Sequence, residues 1–362
     1  MSTELSPMAR FLLLAAAFII VVAGMRAAAA ILEPFLLSLF IAVICSPYLA
    51  ALNRRGVPNG ISILIIMGII VLVGLVIGAV VGSSIQSFRG DIPQYQARLQ
   101  GMTTEVLARL NQFGLAIDPS QWRESFNPSA ALALAGNTLS SFGNVMANAF
   151  LILLTVIFIL AEEVGVTDKI RYANADPDKA LAAIERFSKS VNQYMAIKMV
   201  LSLLTGVLAM TWLMVLGVDY PVLWGLLAFL LNFVPTLGSI LAAIPAVLLA
   251  LVQLGSGSAL LAALGYLVIN VGVGNILEPR LMGRGLNLSA LVVFLSLVFW
   301  GWVLGPVGML LSVPLTMTVK IALESVDDTR WLGVMLGSGK GLQLPAVARE
   351  DNVADRDTGA GR

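Results

Sequence analysis

The sequence predicts an all-α integral membrane protein of about eight transmembrane helices, with one apolar run broken by Pro and Gly into a re-entrant hairpin. Three observations carry this reading. Of 362 residues, 58% are hydrophobic and only 12% are charged, against about 25% charged in soluble domains. The apolar residues gather in runs of roughly the 20 residues that a helix needs to cross a bilayer. The period-2 alternation of a membrane β-barrel is absent.

Composition also excludes functions. A net charge of +1 offers no basic footprint for nucleic acid. There is no histidine, which removes the commonest metal ligand and the commonest acid–base side chain. The single cysteine, Cys45, lies in an apolar run. It allows no intrachain disulfide or zinc cluster, and reads as a small buried hydrophobe. "GSGKG" at 337–341 fails as a phosphate loop, because Gly341 stands where Ser or Thr must follow the lysine and Val334 where the first glycine belongs. "GVGNIL" at 272–277 lacks the third glycine of a dinucleotide fingerprint. No cofactor and no metal are expected.

Taken in order, the first run is 11–32. It follows Arg10 without a small-residue cleavage site, so it reads as a retained span. Runs 34–52 and 60–85 complete an N-terminal block, 1–85. Arg54 and Arg55 between them place that loop in the cytoplasm. In the third run Gly74, Gly78 and Gly82 form a smooth stripe, suited to close packing within the chain or to an oligomer contact.

From Ile85 the apolar residues Phe88, Ile92, Tyr95, Leu99, Met102, Val106, Leu110 and Phe113 follow steps of three and four, a heptad seam. Pro93 and Gly101 are expected to interrupt it, with Asp91 capping a restarted helix. The polar stretch 86–142 therefore reads as an extracytoplasmic amphipathic helical segment. Residues 143–198 hold the fourth span, 143–161, and a charged linker. Lys169, Arg171, Lys179, Arg186, Lys189 and Lys198 mark that linker as cytoplasmic. A C-terminal core, 199–325, holds runs 196–217, 221–253, 259–277, 290–304 and 306–323. The tail 326–362 is rich in Gly and charge, and reads as cytoplasmic and partly disordered.

Run 221–253 is too long for one ordinary span and contains "NFVPTLGSILAAIP", with Asn232, Pro235, Gly238 and Pro245. Two half-helices joined at Pro235 to Gly238 would make a hairpin that starts and ends outside. Arg280 and Arg284 then fall on the cytoplasmic side, with both termini inside. One long kinked span is the rival reading, and it leaves both arginines outside or in a pocket. Gly308 and Pro314, with five residues between them, follow the same Gly-then-Pro order as Gly238 and Pro245, with six between, which suggests an internal repeat. Irregular backbone at membrane depth needs protein cover or a wet cavity, so a broken helix marks a site.

Polar groups at depth are the best pointers to a transport pathway, because a charge there costs roughly 2.5–3.5 kcal/mol. The candidates are Asn232, Asn270, Asn275 and Glu278, with Arg280 and Arg284 beside them. Arg280 is expected to pair with Glu278 or to bind a hydroxyl-rich or anionic solute. Arg26 and Glu33 read as interfacial, and Lys320 with Glu324 as an i,i+4 pair.

"NFVPTLGSILAAIPAVLLAL" followed by "NVGVGNILEPRLMGRGLNLSALVVFLSLVFWGWVLGPVGMLLSVPLTMTVKIALE" resembles the autoinducer-2 exporter (AI-2E) family, as does "EPFLLSLFIAVICSPYLAALNRRGVP" near the N-terminus. The resemblance covers most of the chain apart from 86–142 and the tail, and its form is similar to the quorum-signal branch. It implies an eight-span protein of the bacterial inner membrane, a homo-oligomer with a ring pentamer as the expected form, that exports a small polar signal. Other members are linked to sodium–proton antiport. Many members carry Glu where this chain has Asn232, which weakens a cation-coupled reading at that position.

Three function classes follow. The first is a transporter of a small polar solute; if transport is active it is proton-driven, with Glu278 as the acid. The second is a sodium–proton antiporter. The third is a membrane scaffold without flux. An intramembrane enzyme is not expected, since there is no Gly-x-Ser-x-Gly and no aspartate pair within spans.

Overall fold

The computed structural model describes residues 6–112, 148–173, 176–235, 237–282 and 288–338. Arg284, the end of the heptad seam with most of the polar stretch to 142, and the tail beyond 338 lie outside the described residues. Every regular element among the described residues is helical.

α1 (Pro7–Ala27) starts where the Ser6 hydroxyl accepts the Ala9 amide, with Pro at a position that needs no amide partner. A single break at Ala28 leads into α2 (Ala29–Arg54), which takes in Glu33 and Pro34. α3 (Asn59–Gln112) is one helix of 54 residues. The expected interruption at Pro93 and Gly101 is therefore corrected: the helix runs through both, and Asp91 caps nothing. Packing decides this. Phe88 and Tyr95 are buried against the hairpin described below, and such burial offsets propensity costs of about 3 kcal/mol for the proline and about 1 kcal/mol for the glycine.

α4 (Ala149–Ala173) lies along α2, where the Ser38 hydroxyl meets the Ile152 carbonyl at 3.1 Å and Ser46 donates to Glu163. α2, α3 and α4 share one apolar core that buries Cys45. α5 (Pro177–Leu216) is capped by the Asp176 carboxylate at its start, and Gly217 ends it at φ 74°, a left-handed conformation that costs glycine little.

The run 221–253 folds as a helical hairpin. α6 (Pro221–Leu231) has 11 residues, about 16 Å, too short to cross a 30 Å hydrocarbon core. α7 (Leu237–Leu254) returns beside it. The Gln253 side chain donates to the Gly217 carbonyl at 3.1 Å and accepts the Asp219 amide at 2.9 Å, so the hairpin ends beside its own start. A single kinked span would separate those residues by the full length of α6 and α7. Pro245 sits inside α7 without breaking it; the described residues of the break are 232–235.

From Ser256 the chain runs through α8 (Ser256–Ile269), a π-helical segment (Asn270–Leu277) and α9 (Glu278–Met282). Pro279 explains the widened turns. Its ring crowds the carbonyl four residues back, and the Glu278 amide bonds instead to the Val273 carbonyl, five back.

α10 (Ala290–Ser325) is two antiparallel legs joined at Leu304 and Gly305, the latter at φ 57° and ψ −147°. The Ser296 hydroxyl donates to the Ser312 carbonyl at 2.8 Å, and the Trp300 indole to the Thr316 hydroxyl at 3.0 Å. The two hairpins share a device. A Cβ on Gly238 would overlap the Leu231 carbonyl, and one on Gly308 the Trp300 carbonyl. Each return leg thus presses its first turn onto the outgoing backbone, and Pro245 and Pro314 follow inside the return legs. A short 3₁₀ turn (Asp327–Thr329) and α11 (Arg330–Met335) close the described chain against Ser289.

Among the described residues six helices are long and apolar enough to cross a bilayer: α2, α3 as far as Tyr95, α5, α7, the run Ser256–Met282, and α10, which is folded into its two legs. Large apolar side chains such as Ile19, Leu64, Leu75, Phe158, Val215 and Leu260 face outward, as lipid-facing residues do. Arg26 lies 4.5 Å over the Trp302 ring, so its charge is stacked on an aromatic face.

Candidate functional site: a polar stripe on α5

α5 presents Tyr194, Lys198 and Ser202 at successive four-residue steps, which puts them on one face of the helix. All three are buried. The Lys198 ammonium donates to both oxygens of Glu278, at 2.7 and 2.9 Å. The Lys198 side chain is 3% exposed and that of Glu278 22%, so the pair is closed on the lysine side and reachable on the carboxylate side. One turn along, the Asn232 amide donates to the Ser202 hydroxyl at 3.0 Å. Asn232 ends α6 at the tip of the first hairpin. One helix face therefore joins two irregular stretches of backbone: the hairpin tip and the π-helical segment that leads into Glu278.

α6 reaches this depth because it crosses α5 closely. A Cβ on Gly206 would come within 2.7 Å of the Gly225 carbonyl, and one on Gly225 within 2.8 Å of the Gly206 carbonyl. Small residues at such crossings let backbones touch. On the far side of the hairpin the Ser239 hydroxyl donates to Asn270 Oδ1 at 2.8 Å, which ties α7 to the π-helical segment. One turn before Asn270, the Tyr266 hydroxyl is buried without a hydrogen-bond partner among the described residues. Buried hydroxyls are rarely left so.

The sequence candidates divide. Asn232, Asn270 and Glu278 converge on α5 and the hairpin. Pro235 lies in the turn and Gly238 at the crossing, while Pro245 is in the return leg. Asn275 is exposed. Arg280 is exposed as well, and the expected Arg280–Glu278 pair is corrected: Glu278 pairs with Lys198. Pro279 and the π-helical turns set the direction of Glu278, and α9 packs on α5. Lys198 itself looks in sequence like one more cytoplasmic charge. The signal that distinguishes it is its place in "MAIKMVLSLL", beyond the last charged neighbour and inside the apolar run. Lys320 and Glu324 form the expected i,i+4 pair at 3.5 Å. At Gly74, Gly78 and Gly82 an added Cβ would meet nothing within 4 Å, so the stripe makes no close packing within the described chain.

A second polar cluster lies at the other end of the first hairpin. Tyr95 on α3 donates to Asp219 at 2.7 Å, and Tyr220 donates to Asp91 on α3. Phe88 meets Tyr220 and Trp224 edge-on. These bonds hold Tyr220 at φ 59°, where a non-glycine residue costs about 1–2 kcal/mol. Burial, then the bond to Asp91, push the Tyr220 hydroxyl up to about 12 from its ordinary 10.0. The folded value is raised, so this stabilisation is fully present below pH 10 and is lost as pH rises through about 12. Melting temperatures in detergent should accordingly fall across that window, and Tyr220→Phe should flatten the step.

Long apolar helices, paired hairpins and a buried polar stripe define a polytopic helical membrane protein with polar side chains buried among its helices. The chain belongs to the AI-2E family of transporters, whose model matches residues 11–328. It is 44% identical over 318 residues to the AI-2 transport protein TqsA of Escherichia coli K12, covering 88% of this chain and 92% of that one. It is 44% identical over 334 residues to a putative transport protein of Haemophilus influenzae, covering 91% and 96%. It is 36% identical over 331 residues to the putative transport protein YhhT of E. coli K12, covering 91% and 94%. Family and relatives point to a membrane transporter of bacteria rather than an enzyme.

Proposed function

We propose that this transporter exports a small, oxygen-rich polar signal of the autoinducer-2 type, driven by the proton gradient, along the α5 stripe. The observation that carries the reading is the buried Lys198–Glu278 pair, one helical turn from the Ser202–Asn232 bond at the hairpin tip. Burying an ion pair is no gain over apolar packing, so its presence in a span supports a functional role. Ser202, Asn232 and Asn270 offer hydroxyl and amide groups to a solute; Glu278 is the acid that takes the coupling proton. The protein works as a homo-oligomer of the inner membrane, with both termini in the cytoplasm.

The test is flux of autoinducer-2 from proteoliposomes with and without an imposed proton gradient. Gradient-driven flux is expected in the wild type, with a loss of about tenfold or more in Glu278→Gln and in Asn232→Ala, as for a buried polar contact removed. Arg280→Ala, an exposed position, should keep it. The partly exposed Glu278 carboxylate also favours a second reading, sodium–proton antiport. Sodium-dependent proton movement without flux of the signal would select that reading. Neither flux, with the assembly intact, would leave a scaffold.

A further inference from the structure

We infer that the Lys198–Glu278 pair is also a proton-gated subsite for a small carboxylate anion: a free carboxylate takes the place of the Glu278 side chain on the Lys198 ammonium while Glu278 takes up one proton. The inference rests on the α5 stripe being the solute path, and not on which signal the protein exports.

The geometry points to this chemistry. Lys198 already holds a planar two-oxygen group, with both oxygens of Glu278 at 2.7 and 2.9 Å. The side from which that group can be replaced is the open one, because Glu278 is the more exposed partner. Glu278 also sits in the last turns of the run Ser256–Met282, where the helix changes from π-helical to α-helical hydrogen bonding. One turn along α5 from Lys198 stand Ser202 and the Asn232 amide bonded to it, the polar groups that the remainder of a short solute would meet.

Charge conservation selects the proton. In the resting site the carboxylate and the ammonium sum to zero. A neutral solute that displaced Glu278 would leave a buried ammonium without a counter-charge, which is strongly disfavoured. A carboxylate that entered alone would leave Glu278 and the newcomer as two anions on one cation. When Glu278 is converted to its neutral acid and the incoming carboxylate pairs with Lys198, the sum is again zero. One proton is bound and no bond other than O–H forms. Among the described residues the titratable groups facing Glu278 are few. α5 supplies Lys198 and Tyr194, the π-helical segment supplies none, and Arg280 on its own helix is exposed.

The probe is formate, on the purified full chain. Glu278→Ala should melt lower than wild type in sodium chloride and recover at least half of that loss, saturably, in sodium formate at equal concentration. A Lys198→Met/Glu278→Ala double variant should show no formate-specific recovery. In wild type, adding formate to weakly buffered protein should take up about one proton per formate bound, and binding should strengthen as pH falls. If Glu278→Ala does not fold, the wild-type proton uptake decides alone. Formate and chloride acting alike on Glu278→Ala, or formate binding to wild type without proton uptake, would overturn the inference. Neither result bears on autoinducer-2 flux, so failure here leaves the export reading standing, and loss of that flux leaves this one.

Discussion

Glu278→Leu is expected to lower the stability of the folded chain by about 3–5 kcal/mol, the cost of leaving one partner of a buried pair behind. Lys198→Met should cost less. The difference follows from burial. Removing Glu278 strands an ammonium whose side chain is 3% exposed, whereas removing Lys198 strands a carboxylate that is 22% exposed and can take a proton. The double variant Lys198→Met/Glu278→Leu should recover most of the loss, because an apolar pair of similar volume packs as well as the ion pair does. Thermal or denaturant unfolding in detergent of all four proteins gives the coupling directly. Additive losses in the double variant would mean that the two side chains stabilise the fold separately. The same double variant separates stability from function: it should insert and fold, yet carry no proton-coupled flux. A scaffold would be indifferent to that change.

Much of the architecture was legible because lipid makes a simple demand on sequence. Backbone groups must be satisfied locally, so apolar runs become helices, and their interruptions become places of interest. Run 221–253 was too long for one span and held Pro235 and Gly238, and those two features were enough to expect the hairpin. The second hairpin was only half legible. Gly308 and Pro314, in the Gly-then-Pro order of the first hairpin, suggested a repeat, but no local pattern says that the two legs press together through Ser296, Trp300 and Thr316.

At the site, Asn232 and Glu278 stood out as polar groups in apolar surroundings. Their common partner did not. Lys198 lies 80 residues from Glu278 in sequence, and it follows a series of surface lysines that obscures it. A contact of that range is set by how α5 packs on α9, which no local pattern encodes. Arg280 misled for the opposite reason. It is two residues from Glu278, and on a helix neighbours two apart face different ways. α3 shows the same rule on a larger scale: Pro93 and Gly101 are breakers by propensity, yet Phe88 and Tyr95 are held by the hairpin and the helix continues.

Gly238→Ala is expected to cost about 3 kcal/mol or more and to abolish transport, and Gly308→Ala to do comparable damage to the second hairpin. In an ordinary helix the change from Gly to Ala stabilises by about 1 kcal/mol. At these two positions the added Cβ would fall on a backbone carbonyl, Leu231 in one hairpin and Trp300 in the other, and a carbonyl cannot rotate aside as a side chain can. The return leg must lift away from the outgoing one. In the first hairpin that lift moves the tip, so Asn232 leaves Ser202 before the fold is lost. Gly74→Ala, Gly78→Ala and Gly82→Ala serve as the comparison. Their Cβ positions meet nothing within 4 Å, so the same substitution should leave monomer stability level or slightly higher. If the stripe packs against a neighbouring subunit, those three variants should weaken the assembly on size exclusion while melting normally. Equal behaviour of all five variants would show that the close crossings at 238 and 308 do not hold the hairpins. The expected split separates the glycines that shape the site from those that face away from it.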